Sequence, residues 1–300
     1  MKSLRSALVL LLAIPVLTHA ATAAQYTGPI IDTHAHLRLA DTDALLPTQP
    51  IGTDALRSLD AAAGVRQSAL IVMAGKGEPE KTRAQNDAVL AAAAASQNRF
   101  YAVVSVHPAD GDVALAELER VATLGATEIK LHPNTQNFDV ADPSVGIVVE
   151  KCGELGLVVL FDSYKPWDPS EMGKFMLLAI QHPKTKIVLA HMGYTYFREA
   201  VSFSTLRRLG MAQNVWFDIS AIATTFADSP IRAELVWTMR KVGMNRILFG
   251  SDWPVYTPRE AETAVRHLGL TAFEQKQVFH DNAAQLLRLD SPTKKPEPTD

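Results

Sequence analysis

The chain has 300 residues, of which 47% are hydrophobic and 20% are charged, a composition typical of a globular protein with a large core. It excludes a chain that is disordered throughout. The net charge is −3 and the Lys and Arg residues are scattered, so no basic patch indicates nucleic acid binding and a small-molecule partner is favoured. These totals leave both a monomer and a homo-oligomer open.

Residues 1–24 have the pattern of a secretory signal peptide. Lys2 and Arg5 give a positive start, residues 7–17 form an apolar run, and small residues follow. A membrane anchor is the alternative, but Pro15 interrupts the run, which is shorter than the roughly 20 residues a spanning helix needs. We therefore expect cleavage, a periplasmic or secreted protein, and no stable membrane insertion.

Beyond residue 24 the sequence alternates short apolar, β-branched runs with longer stretches of helical spacing. Successive runs start about 30 residues apart, the length of one parallel strand with its return helix. The predicted strands are 30–33, 69–73, 101–106, 128–131, 157–161, 186–190, 215–219 and 246–249. The predicted helices include 54–63, 83–96, 113–124, 143–155, 171–180 and 272–289.

Eight such units predict an α/β protein, a (β/α)₈ TIM barrel that forms a single domain over residues 28–290. An open, doubly wound sheet is the alternative fold. No Gly-rich phosphate loop follows the first strand, however, and histidines stand there instead. Residues 291–300 are rich in Pro, Lys and Thr and are expected to be a flexible tail.

Polar residues stand at the carboxyl ends of several predicted strands, which meet at one rim of a barrel. His34 and His36 end the first strand and, being two apart, point the same way. Such a pair alone is a weak signal. Asp162, His191 and Asp252 end strands five, six and eight. Imidazole and carboxylate ligands suit one Zn²⁺, with Mn²⁺ or Fe²⁺ as alternatives. In this interpretation Asp252 takes a proton from the attacking water, and His191 either hydrogen-bonds the substrate carbonyl or positions the water.

These motifs resemble the amidohydrolase superfamily, specifically the branch that includes relatives of aminocarboxymuconate semialdehyde decarboxylase. The resemblance implies that His34, His36 and Asp252 bind a metal, usually zinc, and that His191 acts in catalysis. Members usually carry a histidine ligand where this chain has Asp162, which is predicted to ligate in its place. The branch also contains lactonases that work without metal. The segments that carry the resemblance are 31–37, 129–133, 189–193, 249–254 and 281–287.

Three further residues are predicted to contact substrate. Lys130 and His132 lie on one side of strand four, and Lys130 either binds a substrate carboxylate or pairs with Asp162. His132 is placed on the rim. Trp253 follows Asp252 and is expected to form part of the pocket wall.

The leading hypothesis is an exported, metal-dependent hydrolase that cleaves an amide, ester or lactone bond with metal-activated water. A nonoxidative decarboxylase or hydratase of an unsaturated or aromatic acid fits the same residues. A third hypothesis is a barrel that has lost catalysis and serves as a binding protein. The aspartate at position 162 is the main argument for the third hypothesis.

Overall fold

The computed structural model describes residues 25–40, 46 and 48–289. The predicted signal peptide (1–24) and the predicted tail (291–300) lie outside the described residues, so both stay predictions. Within the described part of the chain, no helix is long and apolar enough to cross a membrane.

Eight parallel strands form one curled sheet, in which each strand pairs with the next along the chain. Their residues are mainly apolar and are buried on both faces, as in other parallel sheets. All eight predicted strands are present, and the largest shift is at the second, which begins at Val65 instead of residue 69. The strands are β1 Ile30–Asp32, β2 Val65–Ile71, β3 Phe100–Ser105, β4 Glu128–Leu131, β5 Val158–Asp162, β6 Ile187–Ala190, β7 Val215–Asp218 and β8 Ile247–Leu248.

Helices return the chain from the end of one strand to the start of the next. They are α1 Asp54–Ala63, α2 Pro79–Ala95, α3 Asp112–Thr123, α4 Pro143–Leu155, α5 Glu171–Gln181, α6 Ala200–Arg208, α7 Ile222–Phe226, α8 Arg232–Val242, α9 Pro258–His267, α10 Ala272–Lys276 and α11 Asn282–Leu287. Helix α1 ends at Gly64 in the left-handed conformation (φ 74°), which a glycine adopts without steric cost. Helix α9 begins with a capping box formed by Thr257 and Glu260.

The last helix is interrupted, whereas the sequence analysis predicted one continuous helix over 272–289. A π-helical segment, Gln277–Asp281, separates α10 from α11. Its wider turn leaves the carbonyl of Val278 to accept a hydrogen bond from the backbone of Phe249, at 3.0 Å. Tertiary contact with the end of β8 therefore overrides the local preference for an α-helix.

The barrel closes between β1 and β8. The backbone N–H of Asp252 donates to the carbonyl of His34 at 2.7 Å, and that of His36 donates to the carbonyl of Trp253 at 2.8 Å. These bonds lie just beyond the carboxyl ends of the two strands. Closure therefore places two predicted metal ligands side by side although they are more than 200 residues apart in the sequence.

Side chains alternate between the barrel interior and the layer under the helices. On β5, Val158 and Leu160 belong to the interior cluster, while Val159 and Phe161 belong to the cluster outside the sheet. The same alternation turns Asp162 inward. The barrel interior is therefore apolar, and the polar residues at the strand ends form a polar rim above it.

Candidate active site

Three ligand atoms lie together where β1 and β8 meet. His34 Nε2 is 3.2 Å from His36 Nε2 and 3.5 Å from Asp252 Oδ1, and His36 Nε2 is 3.7 Å from the same oxygen. Ligands about 2.1 Å from a tetrahedral ion are about 3.4 Å apart, so these residues fit one divalent cation. His191 also has a ligand atom within 4.8 Å of those of His34 and Asp252.

Burial keeps the two histidines that follow β1 neutral. His34 is 0% exposed and His36 is 6% exposed. Burial lowers the pKa of His34, and the charge of Lys130 lowers it further. The pKa of His36 lies well below its ordinary value because of burial and the neighbouring histidines. A neutral imidazole has the lone pair that a metal ion requires.

A carboxylate that the sequence analysis missed orients His34. Asp218, the last residue of β7, has Oδ2 3.0 Å from His34 Nδ1. Burial alone raises the pKa of Asp218, but the adjacent His34 and a hydrogen bond from Ser220 hold it well below its ordinary value. Asp218 is therefore ionised. Its position was detectable, because it ends an apolar strand in the same way as Asp162 does.

Asp162 lies between two histidines. Its Oδ2 is 3.0 Å from His191 Nε2 and 3.4 Å from His132 Nε2. Burial lowers the pKa of His132 to about 4, so His132 is neutral. Burial also lowers the pKa of His191, but the charges of Asp252 and Asp162 outweigh it and raise this pKa to about 9. His191 and Asp162 thus form an ion pair, and ligation of a metal by Asp162 stays a prediction.

The backbone is constrained where His191 enters the site. Residues 191–194 all have positive φ, between 49° and 80°. Such a run is uncommon for residues other than glycine and persists only when the surroundings hold it in place. The N–H of His191 donates to Asp218 Oδ1 at 3.1 Å, and the N–H of Gly193 donates to Ser163 Oγ at 3.0 Å. Contacts from β5 and β7 therefore fix the position of His191.

Lys130 lies among the predicted ligands and not on the outer rim. Its side chain is fully buried, and Nζ is 3.1 Å from His34 Nε2. The ammonium group donates to the same lone pair that a metal ion would use, and its charge opposes a cation at that point. A bound ion therefore requires Lys130 to turn toward another acceptor.

A pocket of about 320 Å³ opens beside these groups. The rings of Tyr164 and Tyr194 lie 4.8 Å apart on its wall, and the Tyr194 hydroxyl is 3.0 Å from Thr225 Oγ1. Trp253 does not line this pocket and instead packs against the core outside the sheet. Among the described lining residues there is no Lys or Arg; they are His132, Asn134, Asp162, Tyr164, His191, Tyr194, Ala221, Asp252, Val255 and Tyr256.

The sequence matches a family model described as amidohydrolase over residues 31–289. The chain belongs to the amidohydrolase family. This match confirms the resemblance seen in the strand-end motifs and the prediction that the protein is an enzyme. No curated protein matches this amidohydrolase.

Solved structures share the barrel with this amidohydrolase at low sequence identity. A 5-carboxyvanillate decarboxylase from Sphingomonas paucimobilis has a TM-score of 0.66 at 19% identity, with 87% of this chain and 99% of that chain covered. A dihydroxybenzoic acid decarboxylase from a Polaromonas species, with bound manganese and 2-nitroresorcinol, has a TM-score of 0.67 at 17% identity, covering 88% and 98%. A protein assigned as a 2-pyrone-4,6-dicarboxylic acid hydrolase from Pseudomonas putida has a TM-score of 0.66 at 21% identity, covering 88% and 98%. These likenesses confirm the predicted TIM barrel.

Proposed function

We propose that this amidohydrolase is a metal-dependent hydrolase that cleaves a neutral ester, lactone or amide with metal-activated water. The observation that carries the proposal is the set of three ligand atoms, from His34, His36 and Asp252, at separations that suit one divalent ion. Two imidazoles and a carboxylate favour Zn²⁺. When bound, such an ion supplies a Lewis acid and a nucleophilic water at neutral pH.

The protein's own groups supply the proton transfers. Asp252 is 8% exposed and lines the pocket, so its carboxylate is placed to take a proton from the attacking water. His191 is a cation on the pocket wall, and a substrate oxygen that enters the pocket can accept its Nε2 hydrogen bond. Asp162 lies 3.0 Å from His191 Nε2 and keeps this imidazolium charged, and the proton that Asp252 takes from the water passes to the leaving group.

The pocket favours an uncharged substrate. Tyrosine rings and Val255 supply apolar contact, and the charge of the His191 imidazolium is already balanced by Asp162, so it is not left for a substrate anion. A volume of about 320 Å³ is at the small end of the range for ligand pockets and suits a group about the size of one ring. These features favour hydrolysis of a small neutral compound.

A nonoxidative decarboxylase is the second candidate. Two of the proteins that share the fold are named as decarboxylases of aromatic acids, and one contains manganese. Loss of carbon dioxide requires a proton donor for the carbon left behind, and His191 is a buried cation in a suitable place. In this alternative, Mn²⁺ is the main alternative to Zn²⁺ as the bound metal.

Metal analysis and a substrate panel test the proposal together. Protein purified without chelator should contain about one divalent ion per chain and hydrolyse a neutral lactone, ester or amide. His34→Ala should lose the metal and at least 10²-fold in kcat/KM. His267→Ala removes an exposed histidine bound to Asp228, away from the site, and should change neither.

Other outcomes select the alternatives. Release of carbon dioxide without hydrolysis would support the decarboxylase. Well under one metal per chain, with ligand binding that survives His34→Ala, would support a binding protein. We also propose export, supported by the charge and hydropathy pattern of residues 1–24. Mass spectrometry of the mature N-terminus after cell fractionation tests it, and an uncut chain in the cytoplasm would refute it.

A further inference from the structure

Asp218 accepts four hydrogen bonds inside the site although it is not among the three ligand residues above. Its Oδ2 accepts from His34 Nδ1 at 3.0 Å. Its Oδ1 accepts from the backbone N–H groups of His191 and Ser220, at 3.1 Å and 3.0 Å, and from the Ser220 hydroxyl. Asp218 and Ser220 are both fully buried. One carboxylate therefore contacts a predicted metal ligand and the segment that carries the catalytic histidine.

The hydrogen atoms in this cluster can be assigned from the available donors. A carboxylate only accepts, and a serine hydroxyl has a single hydrogen to donate. Ser220 gives that hydrogen to Asp218. Ser220 Oγ must therefore accept from the two imidazole nitrogens near it, His34 Nδ1 at 3.1 Å and His191 Nδ1 at 3.0 Å. The Ser220 carbonyl is a further acceptor, 3.1 Å from His191 Nδ1.

Both histidines must then carry hydrogen on Nδ1. For His34, this leaves the lone pair on Nε2, the atom that lies beside His36 and Asp252 and accepts from Lys130 in the metal-free protein. For His191, it directs Nε2 toward Asp162 and the pocket. We propose that Asp218 is a positioning residue that, with Ser220, fixes the tautomer of His34 for metal binding and the orientation of His191 for proton transfer.

This inference rests on the proposed metal site, but not on the reaction or the substrate. Asp218→Asn is the decisive variant, because an amide differs from a carboxylate in one donor group. Oδ1 faces three donors, so the amide oxygen takes that side and the NH₂ group faces His34 Nδ1. His34 must then accept at Nδ1 and carry hydrogen on Nε2, the atom needed by the metal.

The test uses the purified full-length protein and Zn²⁺. We expect Asp218→Asn to weaken Zn²⁺ binding about 10–100-fold in a chelator competition titration. In the metal-free protein, long-range ¹⁵N–¹H spectra of labelled histidine should show His34 changing from the Nδ1–H to the Nε2–H form, with His34→Ala used for assignment. Asp60→Asn is the matched control, since Asp60 is also buried and bonds Ser68 away from the site. It should change neither readout.

Ser220→Ala keeps the inference testable if Asp218→Asn does not fold. It removes the shared hydroxyl but keeps the Asp218 carboxylate, so it should weaken Zn²⁺ binding several-fold and leave His34 largely Nδ1–H. The inference fails if Asp218→Asn keeps both the Nδ1–H form and wild-type Zn²⁺ affinity, or if Asp60→Asn loses as much affinity. The spectra need neither substrate nor metal, so failure of the proposed hydrolysis leaves this result readable.

Discussion

Replacing Gly250 by alanine is expected to damage the candidate site although Gly250 offers no ligand atom. Gly250 lies just after β8 and packs against His34, the first predicted metal ligand. A Cβ atom at this position would be 2.7 Å from His34 Cβ and 3.0 Å from Ser220 Cβ. Carbon atoms in contact lie about 3.5–4.0 Å apart, so the neighbours must move by about 0.5–1 Å.

The expected effect has two parts. Overpacking of this kind destabilises a protein by about 1–3 kcal/mol. A catalytic constellation tolerates displacements of about 0.5 Å, and a misplacement of about 1 Å costs about 10²-fold in rate. We therefore expect Gly250→Ala to reduce kcat/KM by about 10²-fold and to weaken Zn²⁺ binding.

Urea denaturation and Zn²⁺ titration measure the two parts separately. Gly173→Ala is the matched control, because a Cβ at Gly173 in helix α5 meets no atom within 4 Å. Alanine favours the helix, so this control should gain about 0.5–1 kcal/mol. If Gly250→Ala unfolds and binds Zn²⁺ like the wild type, close contact between β8 and His34 does not hold the site in place.

Three further variants test separate features. Asp162→Ala should keep the bound metal, because Asp162 pairs with His191. It should lower the pKa of His191 that is seen in the pH profile of kcat. Metal loss as large as in His34→Ala would instead establish ligation by Asp162. Lys130→Met should tighten Zn²⁺ binding at least tenfold by removing a cation 3.1 Å from His34 Nε2, and weaker binding would contradict this. Burial raises the pKa of Asp60 from 3.8 to about 8, so between these pH values the folded state holds a proton that the unfolded chain releases. Wild-type stability therefore falls as the pH rises from 3.8 to about 8. Asp60→Asn should remove the part of that dependence due to Asp60, and its urea midpoint should exceed the wild-type midpoint more at pH 9 than at pH 6.

The fold was predictable because the strand signals repeat at a regular spacing. Each apolar run followed by a helical stretch is local information, and the right-handed return of a helix to a parallel strand leaves little choice of topology. The same local signal located His34, His191 and Asp252 at strand ends. Asp218 has this signal as well, but the predicted strand 215–219 placed it inside the strand, whereas β7 ends at Asp218.

Other features depend on contacts that a single segment does not reveal. The π-helical turn after α10 exists because the Val278 carbonyl bonds Phe249, which is far away in the sequence. The tyrosines of the pocket come from three separate loops, where spacing carries no information about neighbours. The pairing of Asp162 with His191 depends on the register between β5 and β6, which places Asp162 beside Ala190.

The closure of the barrel sets an order of events for metal binding. His34 comes from the first strand and Asp252 follows the last, so the ligand set does not exist until nearly the whole chain has been made and folded. A growing or unfinished chain cannot select an ion with these ligands. A bound ion would then hold the two ends of the sheet together, adding about 2.7 kcal/mol to stability at a concentration 100 times Kd. If the chain is exported as proposed, the metals available in the compartment where folding finishes would decide which ion it binds.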